Sequence, residues 1–290
     1  MANEGTPMES FYVTNPRDGV RLHALRWGHG PRVVLAVHGL NAHAWHWRRS
    51  AERLGPEYSL VSYDLRGHGE SDKPDDGYTF DDQGGDIDAI LDHIGADPGA
   101  IAVMGHSLGA RVAMPYVVRH PGRGFVIVDP GIVTHVERAE RSSAPPVEGA
   151  RRRPSLQMEY DSRDQFLERM ARTNFMRNRS PHNEEYAERL IAAPEADGHV
   201  RLNLTPNAHV KTMGAINDAD MSEYFADIAC PTLIIRATEG HLGQPMAERM
   251  RAEIPGSELV VIEDCNHNVM LDCPDAFDAA LDPFLARIFS

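Results

Sequence analysis

Lysine is nearly missing from this chain: Lys73 and Lys211 are the only two, and arginine supplies the rest of the 29 basic residues. They do not balance 43 aspartates and glutamates, and the formal charge of −14 argues against non-specific binding to nucleic acid or an anionic membrane, both of which attract cations. Cysteine is scarce too. Cys230, Cys265 and Cys273 are an odd number without C-x-x-C spacing, so a reduced, cytoplasmic protein is expected. No run of 18 or more apolar residues occurs, so no transmembrane helix is expected. The first seven residues, Met1 to Pro7, lack the basic and apolar stretches of a signal peptide. What is present is ordinary: 290 residues, 42% hydrophobic and 25% charged. That composition excludes extended disorder, collagen and coiled coil. The length allows one large domain, or one domain with an insertion, around a sizeable core.

Short apolar runs alternate with helical patterns, which predicts a mostly parallel sheet covered by helices. The runs are Val33–Val37, Tyr58–Tyr63, Ile101–Met104, Phe125–Val128, Thr232–Ile235 and Leu259–Ile262. The segments 11–14 and 21–27 read as an antiparallel entry hairpin. Asp86–Ile94 and Leu108–His120 read as helices, the first with Ile87, Ile90, Leu91 and Ile94 at helical spacing. From about Gly131 to Ala219 the alternation stops, and helix-like stretches appear near 162–177 and 183–193. The expected organisation is a core made of residues 1–130 and 220–290, with a helical cap at 131–219. No repeat of 20–50 residues is visible.

Gly105-His106-Ser107-Leu108-Gly109 lies between an apolar strand and a helical segment. Alone, G-x-S-x-G is a weak signal, and a glycine-rich turn with an idle serine would also fit. In strand–turn–helix context it is a strong one, because a sharp turn that exposes a serine oxygen needs small flanking residues. A serine hydroxyl attacks a carbonyl only when a base takes its proton, and the tetrahedral intermediate needs donors for its oxyanion. The expected donors are the backbone N–H groups of Leu108, at the start of the following helix, and of Leu40, in the loop after Val33–Val37.

His38-Gly39, Asp64 through Ser71, Gly105 through Gly109 and Cys265-Asn266-His267 resemble the α/β-hydrolase family in order and spacing. The resemblance covers nearly the whole chain outside the insertion. It implies an eight-stranded, mostly parallel sheet, a cap and a Ser–acid–His triad with Ser107 as nucleophile and His267 as general base. Asp64 through Ser71 is structural in that family, so His68 and His106 are expected to be framework residues rather than bases.

The acid has two candidates. Family members commonly place an aspartate after the strand at 232–235, but that loop reads Arg236-Ala237-Thr238-Glu239-Gly240-His241-Leu242, with Gly240 or His241 at the expected position. Asp129, after the strand at 125–128, occupies the place used by other branches of the family; Glu239 would require the turn to shift. The missing aspartate after the later strand makes Asp129 the expected acid and Glu239 the alternative, the task being to orient the histidine and stabilise its imidazolium. The motif 105–111, Asp129 and the altered 236–242 loop are most similar to an enamide-cleaving branch of the family.

For the pocket, His38, Trp45, His106 and Arg172 are candidate lining residues. Residues 131–180 hold ten arginines against seven carboxylates, and a guanidinium such as Arg172 could select an anionic acyl substrate, although charged helix faces are usually solvated. His38, His43 and His46 form a local cluster that reads as pocket lining rather than a metal site. The expected activity is cofactor-independent and metal-independent hydrolysis of a small-molecule ester, lactone or amide. Carbon–carbon bond hydrolysis and a non-catalytic ligand-binding homologue are the alternatives, since fold alone does not fix chemistry.

Overall fold

A computed structural model describes residues 8–132, 158–172, 180–192 and 198–290 of the chain. Strands β1 (Met8–Thr14) and β2 (Arg21–Trp27) form the entry hairpin, followed by β3 (Arg32–Val37), α1 (Arg48–Arg53), β4 (Tyr58–Tyr63), α2 (Phe80–Ile94), β5 (Ala102–His106), α3 (Leu108–Arg119) and β6 (Gly124–Val128). After the 131–219 segment, the later set is β9 (Thr232–Glu239), α7 (Gln244–Glu253), β10 (Ser257–Asn266), α8 (Val269–Asp272) and α9 (Pro274–Ile288). Within that segment stand β7 (Glu159–Tyr160), α4 (Arg163–Arg172), α5 (Pro181–Glu188), β8 (Val200–Arg201) and α6 (Pro206–Asp218).

One sheet holds eight strands in the order β1-β2-β4-β3-β5-β6-β9-β10. Only β2 runs against the others, pairing antiparallel with β1 and β4. The central strands read as continuous apolar runs because both faces are covered. Leu35, Val61, Val103 and Ile127 pack with α2, α3 and α7 on one face. Val34, Leu60, Met104 and Val126 pack with Trp47 and α9 on the other.

Several boundaries differ from the sequence reading. Helix α2 begins six residues before Asp86, because Thr79 accepts from Asp82 N–H while the Asp82 carboxylate accepts from Thr79 N–H, a reciprocal cap. The internal Gly84-Gly85 pair hides that first turn from a propensity reading. The 131–219 segment holds a further helix, α6, and a two-stranded pairing of β7 with β8, which two-residue strands cannot announce by periodicity. Part of the segment lies over the C-terminal edge of the sheet. His68 bridges to Leu204, and Asn183 donates to the Leu271 carbonyl at 3.0 Å.

The loop after β4 is tied down by buried charge. Asp64 accepts from Ala44 N–H and Glu70 N–H at 2.7 and 2.9 Å and meets His23 Nδ1 at 2.8 Å. Arg66, fully buried, pairs with Asp86 through two contacts of 2.6 and 2.7 Å. These residues fix the framework beside the site. No helix of the described residues is long and apolar enough to cross a membrane.

Candidate active site

Parallel strands bring their following loops to one edge, where ligands of open α/β sheets bind. Here that edge collects Ser107 after β5, Asp129 after β6, the 240–242 turn after β9 and His267 after β10.

Ser107 has φ 52° and ψ −113°, a backbone state that side chains rarely adopt and that active sites retain when the surroundings over-determine it. The flanking glycines show why. A β-carbon on Gly105 would stand 2.5 Å from Ala110 Cα, and one on Gly109 would stand 2.1 Å from the Val37 carbonyl oxygen. Their absence lets α3 start directly against the end of β3, beside the His38–Leu40 loop. A β-carbon on Gly39 would lie 3.2 Å from Ser107 Cβ. Leu108 is the first residue of α3, where backbone N–H groups have no partner within the helix. Leu40 sits in the turn closed by Ala42 N–H to the Gly39 carbonyl.

The carboxylate that meets His267 is Asp129, with Oδ2 2.6 Å from His267 Nδ1. Asp129 is fully buried and its φ is 42°. Burial pushes its carboxyl above the usual range; the N–H groups of His241, Ala237 and Leu242, which it accepts at 2.6, 3.2 and 3.3 Å, pull the other way. A carboxylate on Nδ1 keeps the proton there and turns the lone pair to Nε2. Glu239 ends β9 with an exposed side chain.

His267 is delivered by a distortion of β10. Ile262 pairs with Ala237 and Asn266 with Glu239, so four residues of β10 advance against two of β9, with Asp264 at φ 51°. Such bulges re-aim the end of a strand. His267 then sits in a column of imidazoles. His241 stacks on it with ring centroids 3.6 Å apart, the His106 ring lies tilted to it at 4.6 Å, and His46 stacks on His106 at 4.9 Å. His106 Nε2 donates to the His267 carbonyl at 2.9 Å, which fixes its tautomer. Burial pushes the His106 imidazole down to about 3, so it stays neutral. The stacking of His241 is new to the structure. Its sequence signal, a Gly-His pair where the family commonly has an aspartate, carries no information on the distance.

The remaining candidates separate. His38 is fully buried; its Nδ1 donates to the Gly39 carbonyl at 2.7 Å and its Nε2 accepts Leu65 N–H at 3.0 Å. These two bonds tie it into the framework and shape the turn. His106 likewise turns its Nε2 to the His267 carbonyl. Trp45 lines a cleft of about 280 Å³ with His43, Asp64, Glu70 and Arg189, whose walls do not include Ser107 or His267; the Arg189 guanidinium covers its ring at 3.7 Å. Arg172 closes α4, and its side chain lies outside the described residues, as does much of the arginine-rich stretch. His43 and His46 turn to the carbonyl and hydroxyl of Tyr186 at 3.1 and 3.0 Å. The single group of three converging His, Cys, Asp or Glu ligand atoms among the described residues is Cys265, Asp272 and Cys273.

Comparison with known proteins adds the following. A model of the "Alpha/beta hydrolase family" matches residues 33–280. N-formylmaleamate deformylase of Pseudomonas putida is 28% identical, covering 92% of this chain and 94% of its own length. The 2-(acetamidomethylene)succinate hydrolase of Mesorhizobium japonicum is 25% identical, covering 92% of each. The crystal structure of E-2-(acetamidomethylene)succinate hydrolase superposes with a TM-score of 0.80 at 24% identity, over 97% of this chain and all of that one. These similarities agree with the fold and the motif resemblance.

Proposed function

This chain belongs to the alpha/beta hydrolase family, and from that premise we propose that it is a serine hydrolase of small carboxylic esters, lactones or amides. The observation that carries the reading is the 2.6 Å contact between Asp129 Oδ2 and His267 Nδ1, at the same sheet edge as the strained Ser107.

In the proposed reaction, Ser107 Oγ attacks the substrate carbonyl while His267 Nε2 takes its proton. Asp129 holds the ring and balances the imidazolium charge. Leu40 and Leu108 N–H groups receive the oxyanion. His267 returns the proton to the leaving group, then activates a water that releases the acyl group from Ser107. The 131–219 segment acts as a cap over this edge and encloses a small-molecule substrate.

Amides are the first class to test, because two relatives are named for a formyl amide and an acetamide. The experiment is a panel of small esters, lactones, N-formyl and N-acetyl amides, with p-nitrophenyl acetate as a burst substrate. We expect a burst of p-nitrophenol equal to the enzyme concentration and turnover of at least one panel member, both abolished in Ser107→Ala. A folded protein with neither burst nor turnover contradicts the proposal and favours a binding role.

A further inference from the structure

We propose that Cys265, Asp272 and Cys273 form a binding site for one soft divalent cation of the zinc class, and that occupancy slows turnover by displacing His267. The second half rests on the function proposed above; the first does not.

The ligand atoms of these three residues all lie within 4.8 Å of one another. Cys265 is the penultimate residue of β10, while Asp272 ends α8 and Cys273 follows it. Cys265 is fully buried, and Asp272 and Cys273 are half-buried, so the site has an inner sulfur and an outer rim through which an ion can enter. The backbone between them is fixed by short turns. Leu271 and Asp272 N–H groups both reach the Asn268 carbonyl, Cys273 N–H reaches that of Val269, and Asn268 N–H reaches Asn266 Oδ1. The Asp272 carboxylate also accepts Asn266 N–H at 2.9 Å through Oδ2.

Two sulfurs and one carboxylate oxygen suit zinc or cadmium. Thiolates favour soft or borderline ions, whereas magnesium and calcium take oxygen sets. Cys273 Sγ lies 3.9 Å from Asp272 Oδ2 and all three ligand atoms stand within 4.8 Å of one another, so metal–sulfur bonds of about 2.3 Å and metal–oxygen bonds of about 2.0–2.2 Å are reached by a short inward movement. As each metal–sulfur bond forms, the thiol proton passes to water, and water completes a four-coordinate shell at the rim.

The consequence follows from chain position. His267 lies between the ligands in sequence, on a loop held by Asp129 at Nδ1 and by His106 at the carbonyl. Contraction of residues 265 and 273 toward a common ion moves the base between them. Displacements on the order of 1 Å at a reacting group can cost about 10²-fold in rate.

The test uses the full chain, reduced and freed of metal. Titration with cadmium should raise the ultraviolet cadmium–thiolate absorption to saturation at one ion per chain. Cys273→Ser should lower that absorption by at least half and weaken binding by at least about tenfold, and Asp272→Asn should likewise weaken binding by at least about tenfold. Zinc at saturation should lower ester turnover at least several-fold in the wild type, with full recovery in chelator. Cys273→Ser should keep wild-type turnover and ignore zinc. Since the buried Cys265→Ala variant can fail to fold, Cys273→Ser is the deciding substitution. No saturable absorption, or equal absorption in Cys273→Ser, overturns the site. Unchanged turnover at saturating zinc overturns the coupling. Absorption is read without substrate, so failure of the hydrolase reading leaves the metal result distinct.

Discussion

A β-carbon placed on Gly240 would stand 2.3 Å from Oδ2 of Asp129 and 2.5 Å from Oδ1. Gly240, one of the two positions where the family commonly has an aspartate, therefore has no room for a side chain, because a carboxylate from the end of β6 already fills that space. The two features are one arrangement: a carboxylate entering from Asp129 requires glycine at 240. Asp129→Asn should lower turnover by about 10⁴-fold, since the amide can present a donor to Nδ1 and favour the wrong tautomer. Glu239→Gln should leave turnover within about twofold of wild type, because its exposed side chain is not the carboxylate that meets His267. Gly240→Ala should also lose most activity by displacing the Asp129 carboxylate. Steady-state kinetics on variants with native circular dichroism checks all three.

His241 offers a separable effect. Its backbone N–H holds Asp129, while its ring stacks on His267. His241→Ala keeps the first and removes the second. An aromatic pair contributes about 0.5–1.5 kcal/mol beyond burial, so kcat should fall by roughly two- to tenfold with KM little changed. A loss as large as that of Asp129→Asn would mean the ring does more than hold orientation.

Acid should unfold this protein readily. Burial holds the His38 and His106 imidazoles down at about 3 and those of His43 and His68 at about 4, while His46 is also pushed well below its ordinary value. In the unfolded chain each regains a value of about 6.5. Their contribution is thus fully present above that value and is lost as pH falls toward the folded values, at up to about 1.4 kcal/mol per pH unit for each group. His23 opposes them. Burial alone would lower its pKa, but the hydrogen bond and charge of Asp64 raise it, so its contribution is present at low pH and fades as pH rises through its folded value. Denaturant midpoints should therefore drop steeply between about pH 6 and 4. His38→Gln, which keeps a polar group in the turn, should reduce that slope by up to one proton.

The Arg66–Asp86 pair predicts a stability effect. Both side chains are fully buried, and truncating one partner of such a pair leaves an uncompensated charge. Arg66→Ala should cost about 3–5 kcal/mol, measured by chemical denaturation.

Much of this architecture is legible from residue pattern. The six core strands stand out because both faces of a parallel sheet demand apolar residues, and G-x-S-x-G in its strand–turn–helix setting locates Ser107. The missing aspartate after β9 favours Asp129 over Glu239 in the sequence, but the contact itself depends on two loops, after β6 and β9, that meet only in three dimensions. The same holds for the imidazole column, whose members come from four separate places in the chain. His38 and Trp45 show a related effect: close in sequence, the first is bonded into the framework turn and the second lines a cleft whose walls do not include Ser107 or His267.

The most direct test of the proposed mechanism is the rate at which a fluorophosphonate labels the protein, read by peptide mass. Labelling should fall on Ser107 alone, slow by at least about 10³-fold in His267→Ala, and slow markedly in Asp129→Asn but not in Glu239→Gln. A folded wild-type protein that is not labelled, or one labelled at Ser107 equally fast without His267, would contradict it.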